Sequence, residues 1–156
     1  MIKVDFSNHT RKFKVKKRKL FDIVNRIAEI AGVDNGSLSL SFVGEKRIRQ
    51  INRDFRKKDS ATNVISFPFM DVVNGKRLLG DIVICPLVAK KQALKQGNNF
   101  NDYMAFLIIH GFLHLLGYDH IKEKDRIIME KKEEEIFNKL DIDTIRNFIK
   151  EVDIKK

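Results

Sequence analysis

An α+β fold, a small mixed β-sheet covered by helices around one central buried helix that bears a histidine pair, is the fold class the sequence predicts. Three observations point there. Strand-like alternation and helical stripes follow one another without a regular βαβ repeat. Residues 100–116 are apolar on nearly every face, as a core helix must be. The chain of 156 residues, 43% hydrophobic and 33% charged, is too apolar for a disordered chain and too charged for a membrane protein. That length suits a single domain over 1–156.

Residues 1–6 predict a short strand, because Ile2, Val4 and Phe6 alternate with Lys3 and Asp5. Residues 11–19 are mostly basic, broken by Phe13 and Val15, and read as a solvated loop or a second short strand. Over 20–31, Leu20, Ile23, Val24, Ile27, Ala28 and Ala31 form a helical stripe that Gly32 can close. Leu38, Leu40 and Phe42 alternate with serines, giving a strand that ends at Gly44. Ile48, Ile51 and Phe55 recur at helical spacing, with Lys46, Arg47, Arg49, Arg53 and Arg56 mostly on the opposite face.

Residues 64–69, stopped near Pro68, and 78–85 are rich in β-branched and aromatic side chains, and Asn74-Gly75 between them is a hairpin signal. Pro86 suits a first helical turn, and the helix it opens runs to Gly97. After the central helix, 122–140 is charged with apolar residues at Ile128, Met129, Ile136 and Phe137, which predicts a surface helix. Residues 141–154 read as a further helix capped by Asp141 or Asp143.

Lys and Arg number 31 against 21 acidic residues, a formal net charge of +10 that favours nucleic acid or an anionic surface as partner. The single cysteine, Cys85, excludes an internal disulfide framework and a cysteine-rich metal site, and reads as a small buried residue in a reducing compartment. No apolar run approaches the length needed to span a bilayer, and no export signal is visible, so a cytoplasmic location without a membrane partner is expected.

Three of the four histidines fall within His110-Gly111-Phe112-Leu113-His114-Leu115-Leu116-Gly117-Tyr118-Asp119-His120. His110 and His114, at i and i+4, share one helix face and can aim at one point. Gly117 can turn the chain sharply enough for His120 to supply a third nitrogen. Three imidazoles in apolar surroundings are expensive to bury unpaired, and a metal ion both satisfies them and keeps them neutral. Zinc suits such ligands best, one ion per chain, with a fourth position open, and imidazole ligation also accommodates nickel, copper or iron. His9 is separate and reads as structural or surface.

The spacing also matches the zinc-peptidase pattern His-Glu-x-x-His-x-x-Gly-x-x-His at every position but one. Gly111 stands where the general-base glutamate belongs, so the peptidase reading loses its central chemical group. A zinc deaminase is poorer still, lacking the His-x-Glu and the paired cysteines.

Together with Asn52-Arg53-Asp54-Phe55-Arg56, Asp59, Thr62, Ser66-Phe67-Pro68-Phe69 and Gly80-Asp81-Ile82, this histidine block resembles the YbeY family of bacterial endoribonucleases, also described as ribosomal RNA maturation factors. The resemblance covers about 40–120. It implies a metalloprotein of one domain whose ligands are His110, His114 and His120, usually holding zinc. It further implies processing of ribosomal RNA, notably the 3′ end of 16S RNA, and ribosome quality control, with the small ribosomal subunit's RNA, the ribosome and its assembly proteins as partners. The family's arginine after the aromatic residue falls on Arg56, which the resemblance places in the active-site cleft. Many members have Asp where this chain has Asn63, which leaves open any role that needs a carboxylate there.

Catalysis is thus expected from Arg56 and His114: the ion activates water or polarises a phosphoryl oxygen, and the guanidinium grips phosphate. Asp81 and Asp119 are candidate outer partners of the ligating histidines, and Arg53 and Ser66 candidate substrate contacts. Two rivals share the histidine site: a zinc-dependent hydrolase of another substrate, such as a peptidase, and a noncatalytic ribosome assembly factor using zinc for structure alone.

Overall fold

Alternating side chains at the N-terminus build β1 (Ile2–Asn8), and the computed structural model describes residues 1–153, leaving aside the side chain of Met70. β2 (Phe13–Val15) settles the basic stretch as a short strand, with Phe13 buried in the core. The helical stripe that follows forms α1 (Lys17–Ile30), whose Leu20, Ile23, Val24 and Ile27 face inward. It starts earlier than the stripe alone predicts, because it opens on the basic residues Lys17, Arg18 and Lys19, of which the first two are exposed. Gly32, at φ +80°, takes the left-handed turn after it.

β3 (Gly36–Phe42) buries Leu38, Leu40 and Phe42 and turns Ser39 and Ser41 to the other face. α2 (Glu45–Arg56) follows and buries Ile48, Ile51 and Asn52. Phe55 departs from the predicted inward stripe: it is 70% exposed and packs edge-on against Phe67, while Asn52 is buried and donates to the Ser60 carbonyl at 2.9 Å. Closing the loop beyond the helix takes that inner position for an amide.

β4 (Val64–Val73) and β5 (Lys76–Ile84) pair antiparallel about Asn74 and Gly75, both at positive φ as a tight hairpin turn needs. β4 runs on past Pro68, where a stop was predicted. The register shifts between Pro68 and Asp71, and β4 is an edge strand, the two settings in which a proline without an N–H is tolerated. The four-stranded sheet has the order β1-β3-β5-β4, with β1, β3 and β5 parallel, so it is mixed as the sequence predicts.

α3 (Pro86–Gln96) ends at Gly97, φ +72°. α4 (Phe100–Leu115) opens on Asn99, whose side chain accepts from the Asp102 N–H at 3.0 Å. It is the central buried helix: Leu107, Ile108, Phe112 and Leu113 pack with α1 and with Leu40, Ile82 and Ile84 of the sheet into the main core. A smaller cluster under α2 joins Val43, Ile48, Ile51, Ile65 and Cys85, the thiol being fully buried as expected.

α5 (Glu123–Lys139), the predicted surface helix, covers α4 through Met129 and Ile136 and leaves Ile128 exposed. The predicted helix over 141–154 is corrected. Only α6 (Ile142–Ile145) forms, capped by Asp141, after which Asn147 at φ +58° reverses the chain into β6 (Ile149–Glu151). β6 pairs antiparallel with β2. Ile154 lies outside the described residues. No described helix is long and apolar enough to cross a membrane.

Candidate metal centre

The end of α4 is built so that one face of the helix and the loop after it meet. Gly117 at φ +98° lets its N–H reach the His114 carbonyl (3.0 Å) and the Tyr118 N–H reach the Leu113 carbonyl (3.0 Å), the paired bonds of a Schellman cap. Asp119 then accepts from the backbone N–H groups of His120 (2.6 Å) and Ile121 (3.0 Å), holding the loop that carries His120.

The result brings one ring nitrogen from each of His110, His114 and His120 within 4.8 Å of the others. His110 Nε2 is 3.2 Å from His114 Nε2, which is 3.2 Å from His120 Nδ1. Nitrogens around a tetrahedral ion at about 2.0–2.1 Å stand roughly 3.3 Å apart, so the spacing fits a single small divalent cation. The donor chemistry fits as well. Glu133 Oε2 lies 2.6 Å from His110 Nδ1, and because a carboxylate only accepts, the proton sits on Nδ1 and the neutral ring turns the lone pair of Nε2 to the cluster. Burial first, then the neighbouring His110 and His120 rings, hold the His114 imidazole below the usual histidine range and so favour its ligating, neutral form.

These rings open on a cleft of about 600 Å³, lined also by Arg56, Asn63, Ser66 and Pro68. Arg56 arrives there as the last residue of α2, where Lys57 at φ +56° turns the chain away. Ser66 donates to the Gly111 carbonyl over 3.4 Å, a weak bond. Asn63 donates to Gln92 Oε1 at 2.9 Å, and the Tyr103 hydroxyl donates to that same oxygen at 3.0 Å.

Other sequence-predicted residues fall elsewhere. Asp81 is corrected as a histidine partner: it alternates with Gly80 and Ile82 to the opposite face of the sheet, where the Ser39 hydroxyl donates to it. Asp119 lines the cleft, yet its bonds go to backbone, not to an imidazole. Arg53 does not line the cleft and lies 3.5 Å from Asp54. His9 is exposed on the far side, beside Ser41 and Val43.

Glu133 is the residue sequence reasoning missed. Its side chain is 4% exposed, and its signal was present: Met129, Glu133 and Ile136 stand at i, i+4 and i+7, so a carboxylate sits inside an apolar stripe.

The Endoribonuclease YbeY sequence model matches residues 5–141. A protein of Bacillus cytotoxicus named Endoribonuclease YbeY is 40% identical over 144 residues, covering 85% of this chain and 92% of its own. One of the same name from Staphylococcus carnosus is 42% identical over 133 residues, covering 80% and 87%. Among solved structures, the solution structure of a Thermotoga maritima protein is similar, with a TM-score of 0.61 at 27% identity and coverage of 88% and 87%. By the span of the family match and the identity of these relatives, the chain belongs to the Endoribonuclease YbeY family.

Proposed function

We propose that the chain, working as one domain over 1–156, is a zinc-dependent endoribonuclease specific for single-stranded RNA. Its place is in ribosomal RNA processing, at the 3′ end of 16S RNA, and in ribosome quality control in the cytoplasm. The observation that carries this reading is the set of three converging imidazole nitrogens on the wall of a cleft that Arg56 enters. The family name of the relatives supplies the substrate class. The ribosomal details rest on the resemblance of the sequence blocks.

His110, His114 and His120 would hold the ion. When bound, a zinc ion supplies Lewis-acid chemistry, polarising a phosphoryl oxygen or making water more acidic. The chain's own residues do the rest. Arg56 brings a permanent charge and a planar fork of donors that matches phosphate oxygens. On the same helix Arg49 is paired with Asp59 at 2.8 Å and Arg53 lies beside Asp54, so the cation that the helix brings into the cleft itself is Arg56. Asn63 lines the cleft with its amide N–H engaged by Gln92, which leaves its oxygen as a neutral acceptor. Among the lining residues the lone carboxylate is Asp119, whose Oδ1 accepts from two backbone N–H groups. A cleft with one carboxylate, tied to its own loop through Oδ1, suits a polyanionic substrate better than an acidic lining would.

The test is cleavage of a labelled RNA, single-stranded and as a duplex, by zinc-loaded wild type, His114→Ala and Arg56→Gln, with casein as a second substrate. Cleavage of the single strand that His114→Ala abolishes while remaining folded is expected. Equal cleavage by wild type and His114→Ala, or casein cleavage without RNA cleavage, would overturn the reading.

A further inference from the structure

We infer that Glu133 is a positioning residue of the metal centre, acting through His110. The inference rests on the reading that the three histidines hold a metal ion.

A carboxylate inside an apolar interface is expensive unless paired. Glu133 has such a pairing, yet among the described ion pairs its partner is His110 alone, with no lysine or arginine to neutralise it. The bond, at 2.6 Å, is made to the ring nitrogen on the side away from His114, while Nε2 faces the cluster. A charge placed merely to join α5 to α4 needs no such address. Here the carboxylate fixes the Nδ1–H tautomer, pins the ring's rotation and makes Nε2 a stronger donor. Phe106, one turn before His110, lies near-parallel to the ring with centroids 6.5 Å apart, and the hydrogen bond to Glu133 is what fixes the imidazole's edge.

The three ligands are therefore unequal. The rings of His114 and His120 have no carboxylate at hydrogen-bond distance among the described residues, and His120 is exposed on a loop. His110 is the prepared ligand of the site. Bound cation and buried carboxylate then compensate each other across one ring, so the charge of Glu133 favours the loaded protein and burdens the empty one.

Glu133→Gln keeps the size and an acceptor oxygen but removes the charge. Zinc affinity is measured by chelator competition for wild type, Glu133→Gln, Glu133→Asp and Glu130→Gln, the last a change to an exposed side chain on the same helix. Melting of the metal-free proteins and the ¹⁵N imidazole spectrum of metal-free His110 are recorded beside it. Expected for Glu133→Gln are zinc binding weaker by about 10- to 100-fold, a shifted His110 ring signal and metal-free melting no lower than wild type. Glu133→Asp should lose less, and Glu130→Gln nothing.

Wild-type zinc affinity and an unshifted His110 signal in Glu133→Gln would overturn the inference. So would metal-free melting that falls in step with affinity in both Glu133 variants, the mark of a purely structural pair. Failure of wild type itself to bind zinc would overturn the metal reading instead, leaving the ring spectrum to report on the Glu133–His110 pair.

Discussion

Gly111 occupies the position that a peptidase of the same histidine spacing gives to glutamate, and the packing around it makes a quantitative test of how α4 is seated. A Cβ added there would stand 2.9 Å from Ile82 Cγ2, 3.2 Å from Ser66 Oγ and 3.3 Å from Ile82 Cδ1. Ordinary carbon contacts begin near 3.5 Å, so α4 and the sheet would have to part by about 0.6 Å or more. Ile82 cannot swing a long side chain away, because its offending methyl sits on the β-branch and the residue is buried. Overpacking of this kind costs about 1–3 kcal/mol, against a helix-propensity gain of about 1 kcal/mol for alanine over glycine. Gly111→Ala should therefore be destabilising by up to about 2 kcal/mol, a melting temperature lower by up to about 4–8 °C in a chain of this size. Gly111→Glu should be worse, with about 3 kcal/mol or more lost and no peptidase activity gained. Thermal melts of the metal-free proteins, with zinc affinity measured in parallel, read both. A Gly111→Ala protein that melts higher by the full propensity gain would refute the close seating of α4 on β5.

Gly80→Ala should be severe: at φ +140° its Cβ would lie 2.1 Å from the Phe67 carbonyl oxygen, so chemical denaturation should show a loss of about 3 kcal/mol or more, or no folded protein. Burial pushes the Cys85 thiol up, so a thiol reagent at neutral pH should label it only after unfolding; the proton kept by the folded thiol also means stability declining as pH rises above the ordinary thiol range. Arg56→Gln should fold normally, its side chain being exposed, and lose about 10- to 100-fold in RNA cleavage, the worth of one charged hydrogen-bond donor, measured under single-turnover conditions. Removal of zinc by a chelator should abolish cleavage reversibly, restored by zinc and not by calcium, whose preference is for oxygen ligands.

Legibility in the sequence followed the range of the interactions involved. The spacing of His110, His114, Gly117 and His120 is local, and helix geometry with one left-handed glycine turns it into a converging triad. The hairpin at Asn74-Gly75 and the apolar α4 are equally local. β6 was not legible, because three residues carry no periodicity and their partner strand, Phe13–Val15, lies far away in sequence. Phe55 misled, since helical spacing cannot tell which of two neighbouring positions faces inward when a polar residue such as Asn52 has a loop carbonyl to satisfy. Pro68 suggested a strand end only because neither its edge position nor the bulge beside it shows in composition. Glu133 stood in plain view on the inner stripe of α5, and its meaning depends on His110 being beneath it. Asp81, read as a histidine partner because a ligating imidazole usually donates its other N–H to an oxygen, sits on the other face because strand side chains alternate.

X-ray absorption on the zinc-loaded protein, with zinc counted per chain, reads whether His110, His114 and His120 together bind one divalent ion. Wild type should hold one zinc with three nitrogen ligands at about 2.0–2.1 Å, and each of His110→Ala, His114→Ala and His120→Ala should lose a nitrogen from the shell and bind far more weakly while folded. A wild-type shell with fewer than three imidazoles, or variants that keep wild-type zinc affinity, would contradict such binding.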